Sequence, residues 1–201
     1  MDLEVFFDCS SPWTYLAFEA LPPLIAEFKP KVRWRPILVG GVFNAVNPGL
    51  YSARANPVPA KQAYMLKDMA DWARHVGIAR LKHPPTVFPV NSVKAMRGCV
   101  LLVDDPRLIP FARKTFEAYF GDDLDISQDA VLRDICQAVD VDPDWLFAGI
   151  AEPRVKDALR ANVDELIARG GFGSPTLFVN GADMYFGNDQ MPLVRDALAR
   201  G

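Results

Sequence analysis

The sequence predicts an α/β fold in which a large all-helical segment interrupts a small domain that contains all the strands. Strand-like runs occur only near the two ends of the chain, at residues 3–8, 32–39, 176–179 and 184–186. Between them, from about residue 60 to residue 172, the apolar residues recur with helical spacing instead. We therefore expect one domain built from residues 1–58 and 171–201, and an inserted helical domain at residues 59–170.

The N-terminal part is predicted to form a strand, a helix and a second strand. Residues 3–8 are rich in Val and Phe and indicate a buried strand. Ser11 is a favourable N-cap and Pro12 a favourable first helical residue, so a helix begins there. The Pro22-Pro23 pair removes two backbone donors and should kink the helix or break it in two. After the second strand, Gly40-Gly41 predicts a loop that runs to about residue 59.

The middle of the chain is predicted to be helical throughout. Residues 61–76 form a clear amphipathic pattern, with Met65, Met69 and Trp72 on one stripe. Further helices fit residues 92–103, 107–120, 128–139, 143–149 and 153–169. The last two strands are separated by an Asn180-Gly181 turn, and a final helix follows at about residues 190–199.

Composition excludes several classes of protein. The chain has 201 residues, half of them hydrophobic, and a net charge of −3. That length can bury a core without disulfides. The mildly acidic balance argues against nucleic-acid or membrane-surface partners. No apolar run approaches the roughly 20 residues that a membrane span needs.

The cysteines and the N-terminus indicate a cytoplasmic protein. Cys9, Cys99 and Cys136 are far apart and odd in number, which favours free thiols in a reducing compartment. The first four residues are acidic, where a secretory signal would be basic. Neither His75 nor His83 lies near a cysteine pair, so we expect no metal site.

Two segments at opposite ends of the sequence carry the candidate chemistry. Ser11 begins the first helix, and Ser174-Pro175 precedes the third strand. A hydroxyl at a helix N-cap lies among unpaired N–H groups and the positive end of the helix dipole. A thiolate placed there would gain a hydrogen bond and a favourable field, which makes Ser11 a candidate catalytic residue. The alternative is that Ser11 only caps the helix.

Motifs spread over the whole chain carry a family resemblance. They are FFDCSSPWTYLA at residues 6–17, GGVFN at 40–44, PAKQAYMLKD at 59–68, FPVNS at 88–92, FGSPT at 172–176 and FGND at 186–189. With these motifs the chain resembles the 2-hydroxychromene-2-carboxylate isomerases, which are grouped with kappa-class glutathione transferases and DsbA-type thioredoxin-fold proteins. The resemblance implies a thioredoxin-like domain with a helical insertion, glutathione as cofactor and a homodimer.

The resemblance also assigns glutathione-binding residues. Dithiol members of this fold carry Cys-x-x-Cys where this chain has Ser11 and Thr14, so the protein would handle the thiol of another molecule. Ser11 would hold the glutathione sulfur. Pro175 would follow a cis peptide bond, and Ser174 would offer its backbone to the ligand. The family often has Val in place of Ser174, and we expect the change to matter little.

The remaining cofactor contacts follow from the same resemblance. The γ-glutamyl end carries a carboxylate and an ammonium, which would be held by Asn188 and Asp189. Simple N-capping by this pair is the alternative. Lys61 would lie near the glycyl end.

The substrate side is less sharply defined by the sequence. Asn47 is the best counterpart of the family's loop asparagine, with Asn44 and Asn56 as competitors. Arg54 could meet a substrate carboxylate, or be an ordinary solvated charge. Trp13 follows the candidate serine closely and could line an apolar slot.

Four other side chains are weaker candidates. Tyr15 could line the same slot. Met65 and Met69 could do so too, although a core role suits methionines better. His83 could act as a base, although an inactive loop histidine is the commoner case.

The resemblance implies a glutathione-dependent isomerase of aromatic catabolism. It would interconvert 2-hydroxychromene-2-carboxylate and trans-o-hydroxybenzylidenepyruvate, a small aromatic carboxylate pair. One alternative is a kappa-like glutathione transferase acting on other electrophiles. Another is a non-catalytic ligand-binding protein that lost redox chemistry with its cysteines.

Overall fold

A computed structural model describes residues 1–201, with the exception of the side chain of Arg54. Four strands form one sheet in the order β2-β1-β3-β4. They are β1 (Asp2–Phe7), β2 (Lys31–Pro36), β3 (Thr176–Val179) and β4 (Asp183–Phe186). Strand β1 pairs in parallel with β2 and antiparallel with β3, and β3 pairs antiparallel with β4. The helix α1 (Pro12–Phe28) makes the crossover between the two parallel strands.

Helices fill the chain between β2 and β3. They are α2 (Val39–Val46), α3 (Gly49–Ala55), α4 (Pro59–His75), α5 (Val93–Leu101), α6 (Leu108–Phe116), α7 (Asp129–Ala138), α8 (Pro143–Ala151) and α9 (Pro153–Ala168). A π-helical turn, Glu117–Gly121, extends α6, and a 3₁₀ turn, Asn188–Gln190, leads into α10 (Met191–Ala199). Within the described residues, no strand lies between β2 and β3. The predicted α/β fold with a helical insertion is confirmed.

A continuous apolar core joins the sheet to the helices. Phe7 of β1 packs against Phe18 of α1 and Trp34 of β2. The ring of Tyr15 stacks on Phe116 of α6 with centroids 5.0 Å apart. The start of α1 is therefore held between the sheet and the helical segment, which fixes the position of Ser11 relative to both.

The first helix does not break at its two prolines. Helix α1 continues through Pro22 and Pro23 to Phe28. Both prolines face solvent, whereas Leu21 and Leu24 on the other face are buried. Burial of that face keeps the helix together where the local sequence favours a break. Of the two outcomes expected at these prolines, a kink or a break, the break into two shorter helices was wrong.

The segment predicted as a loop after β2 is largely helical. Helices α2 and α3 occupy residues 39–46 and 49–55, so Gly40-Gly41 lies in the first turn of a helix. Two tertiary contacts explain the difference. The backbone N–H of Val39 donates to the Asp8 carboxylate at 2.8 Å. Val42 is buried in a cluster with Phe6 and Ile37. No helix formed by the described residues has both the length and the apolarity that crossing a membrane requires.

Candidate active site

A large cavity lies where the start of α1 meets the segment that leads into β3. Its volume is about 1440 Å³. The wall also receives residues from α2 to α4, from residues 83–93 and from the turn between β4 and α10. Sites for one drug-sized ligand span about 300–1,000 Å³. The cavity therefore has room for a cofactor and a substrate at the same time.

The cavity brings together the predicted site residues whose side chains are described. Its wall includes Ser11, Trp13, Asn47, Lys61, Ser174, Pro175, Asn188 and Asp189. The side chain of Arg54 lies outside the described part of the structure. The juxtaposition is observed, whereas the binding role of each residue stays a prediction.

Ser11 is the N-cap of α1. Its backbone is extended, and its Oγ accepts a hydrogen bond from Thr14 N at 3.2 Å. The same Oγ donates to the carbonyl oxygen of Ser174, also at 3.2 Å. The predicted cis Ser174–Pro175 peptide bond is present. Ser11 is thus an N-cap, and its hydroxyl also joins the start of α1 to the segment before β3.

The Ser174 side chain takes part in this junction as well. Ser174 Oγ accepts from Asp8 N at 3.2 Å and shares a hydrogen bond of 2.7 Å with Thr14 Oγ1. All three residues are buried. The expectation that only the backbone of Ser174 contributes was incomplete, because its hydroxyl connects the two positions that flank Ser11.

Asp8 is a buried carboxyl group that the sequence reasoning missed, since it was taken only as the last residue of a strand. Its two oxygens accept from the N–H of Ser10 at 2.9 Å and from the N–H of Val39 at 2.8 Å. Burial raises the pKa of the Asp8 carboxyl, and hydrogen bonds from Ser10, Val39 and Ser92 oppose that rise. The available signal was an acidic residue directly after three apolar strand residues, Val5, Phe6 and Phe7, and three positions before the helix cap.

The turn before α10 supplies polar groups at another part of the cavity. Asn188 is buried, and no described residue offers an acceptor to its Nδ2. Such a group is costly unless a ligand or water completes it. Asp189 is exposed beside it. Gly187 has φ of 107°, and a Cβ at that position would lie 2.5 Å from Asp189 Oδ1. Only glycine therefore fits the observed position of the Asp189 carboxylate.

Of the residues predicted to contact the substrate, some line the cavity and others lie in the core. Met65 lines the cavity, whereas Met69 is buried in a cluster with Leu16 and Ala73. Trp72 and Phe88 add aromatic surface to the cavity wall.

The other candidates for substrate contact also differ in whether they line the cavity. Tyr15 is a core residue, so its expected place in the slot was wrong. Asn47 and Asn56 both line the cavity, and Asn44 is not among the described lining residues. His83 also lines it.

One wall of the cavity, formed by residues 83–93, is held by hydrogen bonds and an ion pair to residues outside the cavity. Asp123 accepts from Thr86 N at 2.7 Å and from Thr86 Oγ1 at 2.6 Å, and it also pairs with Lys82. The Lys82 and Thr86 donors lower the pKa of Asp123 to about 2. Tyr119 Oη donates to the Val87 carbonyl at 2.9 Å. This wall is therefore fixed to the helical segment.

The protein's own thiols are poorly suited to chemistry in this cavity. Cys9, Cys99 and Cys136 are all free and buried. Burial raises the pKa of the Cys9 thiol well above its usual value, and the neighbouring Cys99 adds to the rise. Burial also raises the pKa of Cys136 to about 11. Among the described lining residues there is no cysteine. A thiol reacting here would have to come from a ligand.

Comparisons with known proteins place the chain in a family. A family profile described as a DSBA-like thioredoxin domain matches residues 2–199. The chain is 31% identical to glutathione S-transferase kappa 2 of Caenorhabditis elegans, over 98% of this chain and 91% of that protein. It is 25% identical to a 2-hydroxychromene-2-carboxylate isomerase of Sphingobium xenophagum, over 98% and 97% of the two chains.

A solved structure of a 2-hydroxychromene-2-carboxylate isomerase superposes with a TM-score of 0.83 at 22% identity, covering 100% of this chain and 95% of that one. The cytosolic disulfide reductase DsbM of Pseudomonas aeruginosa, solved with GSH, gives a TM-score of 0.65 at 14% identity, covering 100% and 96%. These two likenesses establish the fold.

Proposed function

The chain belongs to the DSBA-like thioredoxin domain family, with relatives among kappa glutathione transferases and 2-hydroxychromene-2-carboxylate isomerases, and we propose that it is a glutathione-dependent enzyme. One observation carries the proposal. The Ser11 hydroxyl at the start of α1 shares a cavity with the Asn188 amide, whose nitrogen has no partner among the described residues. A thiol compound with a polar, charged tail would satisfy both groups.

The residues present fit glutathione. Ser11 would hold the sulfur, and the backbone of Ser174 would face the cysteinyl part. The unpartnered Asn188 amide would donate to the γ-glutamyl carboxylate, and the Asp189 carboxylate would accept from the γ-glutamyl ammonium. Lys61, exposed in the first turn of α4, would meet the glycyl carboxylate.

Bound glutathione would supply a nucleophilic thiol that adds reversibly to an electrophilic carbon. The chain's contribution is to favour the anionic sulfur through the Ser11 hydroxyl and the positive end of the α1 dipole. An ordinary thiol has a pKa near 8.5, so only about 3% is ionised at pH 7. Lowering that pKa by about two units, equivalent to about 2.7 kcal/mol, makes the thiolate the main species.

The apolar side of the cavity would hold the substrate. Trp13, Met65, Trp72 and Phe88 offer aromatic and thioether surface that suits a flat aromatic molecule and excludes water. We propose that the reaction is the interconversion of 2-hydroxychromene-2-carboxylate and trans-o-hydroxybenzylidenepyruvate. The named isomerases among the relatives support this choice. The three buried free cysteines support a cytoplasmic location.

A kappa-type transferase is the second candidate, and the 31% identity to a kappa transferase favours it. The two activities need the same thiolate site but differ in what happens to glutathione. An isomerase returns glutathione after every turnover, whereas a transferase consumes it in a conjugate.

Glutathione stoichiometry tests the proposal. The purified protein is given 2-hydroxychromene-2-carboxylate in large excess over glutathione, and ring opening and free thiol are followed together. The isomerase predicts many turnovers for each glutathione with the thiol fully recovered. Conjugation of an aryl halide with loss of thiol, and no ring opening, would favour the transferase. Absence of both activities would contradict a glutathione-dependent enzyme. In the same assay Ser11→Ala removes the hydroxyl proposed to hold the sulfur, and Ser127→Ala, at a serine outside the cavity wall, is its matched control.

A further inference from the structure

The Ser11 hydroxyl takes part in two hydrogen bonds within the protein. Its single hydrogen is donated to the Ser174 carbonyl at 3.2 Å, while its oxygen accepts from Thr14 N. Ser11 and Ser174 are 8% and 6% exposed, so both residues are buried in the cavity wall. The hydrogen that would stabilise a bound sulfur anion is therefore donated to a protein carbonyl in this arrangement.

The Ser174 carbonyl is held in place from several sides. The Ser174 hydroxyl is bonded to Asp8 N and Thr14 Oγ1. The next strand, β3, lies between β1 and β4 in the sheet. The Thr176 hydroxyl donates back to the Gly173 carbonyl at 2.9 Å. The serine hydroxyl of Ser11, by contrast, can redirect its hydrogen by rotation about one bond. Any exchange of partners must come from the hydroxyl, because the carbonyl stays where it is.

Redirecting that hydrogen leaves an acceptor without a donor. Within the described structure, the Ser11 hydroxyl is the donor that reaches the Ser174 oxygen. A buried carbonyl that loses its donor is unfavourable unless another donor replaces it. The activation of sulfur by Ser11 is consequently opposed by the Ser174 carbonyl, unless the ligand brings an N–H of its own.

We propose that the Ser174 carbonyl selects peptide thiols whose cysteine carries an amide N–H: this carbonyl exchanges the Ser11 hydroxyl for the ligand N–H, and the hydroxyl is released to the sulfur. The inference rests on the proposed function and adds a rule for which thiols are activated. The nitrogen and sulfur of a cysteine are joined through only two carbon atoms, so one cysteine can reach both groups. Simple thiols without that N–H would enter the cavity but remain largely protonated.

The test compares glutathione with two ester analogues of nearly the same shape. One replaces the cysteinyl N–H by oxygen, and the control replaces the glycyl N–H instead. Affinity is measured by calorimetry, and the ionised fraction of the saturated complex by the ultraviolet absorbance of the thiolate. Each ionised fraction is compared with that of the same thiol in water. Neither readout depends on turnover.

The cysteinyl ester should show a thiolate fraction about tenfold lower than glutathione at a pH where both are partly ionised, the effect of one unsatisfied buried acceptor. The glycyl ester should ionise like glutathione. In Ser11→Ala the difference between the two esters should vanish, because no hydroxyl remains to be released.

Three results would overturn the inference. Equal ionisation of both esters in the unsubstituted protein would exclude donor exchange while leaving the proposed function intact. Loss of binding by the cysteinyl ester alone would show that the N–H governs affinity and not ionisation. Failure of glutathione itself to bind, or to ionise beyond its level in water, would overturn the proposed function and the inference together.

Discussion

Removing the hydroxyls of Thr14 and Ser174 should reveal a coupled pair behind the candidate active site. The two oxygens are 2.7 Å apart and buried, and Ser174 Oγ also accepts from Asp8 N at 3.2 Å. A buried polar group left without its partner costs about 1–3 kcal/mol. Thr14→Val leaves Ser174 with one of its two bonds and should destabilise the fold by about 1 kcal/mol. Ser174→Val leaves both the Asp8 N–H and the Thr14 hydroxyl without this partner, so it should destabilise the fold by about 2–4 kcal/mol.

The double variant should be less destabilised than the sum of the two single variants. Once Ser174 is Val, the Thr14 hydroxyl has lost its partner, so replacing it with a methyl group removes an unsatisfied group. The expected interaction energy is about 1–2 kcal/mol, well above the roughly 0.3–0.5 kcal/mol scatter of independent sites. Urea denaturation of the four proteins measures it.

A matched control is available in the same chain. Thr115 is buried, and its hydroxyl donates to the Phe111 carbonyl within α6 at 2.8 Å. Thr115→Val combined with Ser174→Val should be additive, because the two hydroxyls share no hydrogen-bond partner. Additivity in the Thr14 and Ser174 cycle as well would refute the argument that Ser174 acts through its side chain.

Three further predictions follow from the cavity wall. Gly187→Ala should weaken glutathione binding about tenfold by calorimetry, because positive φ disfavours alanine and a Cβ would displace the Asp189 carboxylate. Gly77→Ala, which is also at positive φ but has open space around its Cβ, should leave binding unchanged. Asp123→Asn should lower stability to urea at pH 7. Since the pKa of Asp123 is depressed to about 2, the difference in stability from the unsubstituted protein should persist above about pH 4, the usual aspartate range, and shrink as pH falls through about 2. A difference in stability that is constant with pH would contradict this. Met65→Ala should raise the KM for the aromatic substrate with little change in glutathione affinity. Met69→Ala should chiefly lower stability, by about 2–5 kcal/mol, and the reverse pattern would show that the two methionines have each other's roles.

The parts of the fold that local patterns determine were predictable. The N-cap at Ser11, the strand Thr176–Val179 and the helices after residue 60 follow from side-chain periodicity and capping. The same reasoning failed at residues 39–55, where glycine, proline and asparagine favour a loop. There a distant carboxylate, Asp8, accepts from the start of α2, and a sequence pattern does not show which distant groups will meet.

The candidate site shows the same division. Ser11 could be chosen from the sequence because it lies at the start of a helix, and Ser174 and Asn188 because their motifs resemble those of a known family. The hydrogen bonds among Asp8, Thr14 and Ser174 could not, because they join positions 160 and 166 residues apart. Local rules identify a residue's surroundings along the chain, whereas its partners depend on the packing of the whole fold.

The ionisation of bound glutathione tests the central claim most directly. The thiolate absorbance of the saturated complex is titrated with pH for the unsubstituted protein, Ser11→Ala and the Ser127→Ala control. We predict that the bound thiol has a pKa well below that of free glutathione, and that Ser11→Ala raises this pKa by about one to two pH units. Turnover of Ser11→Ala at neutral pH should fall and partly recover as pH rises. The same bound-thiol pKa in all three proteins would show that Ser11 caps α1 and does no more.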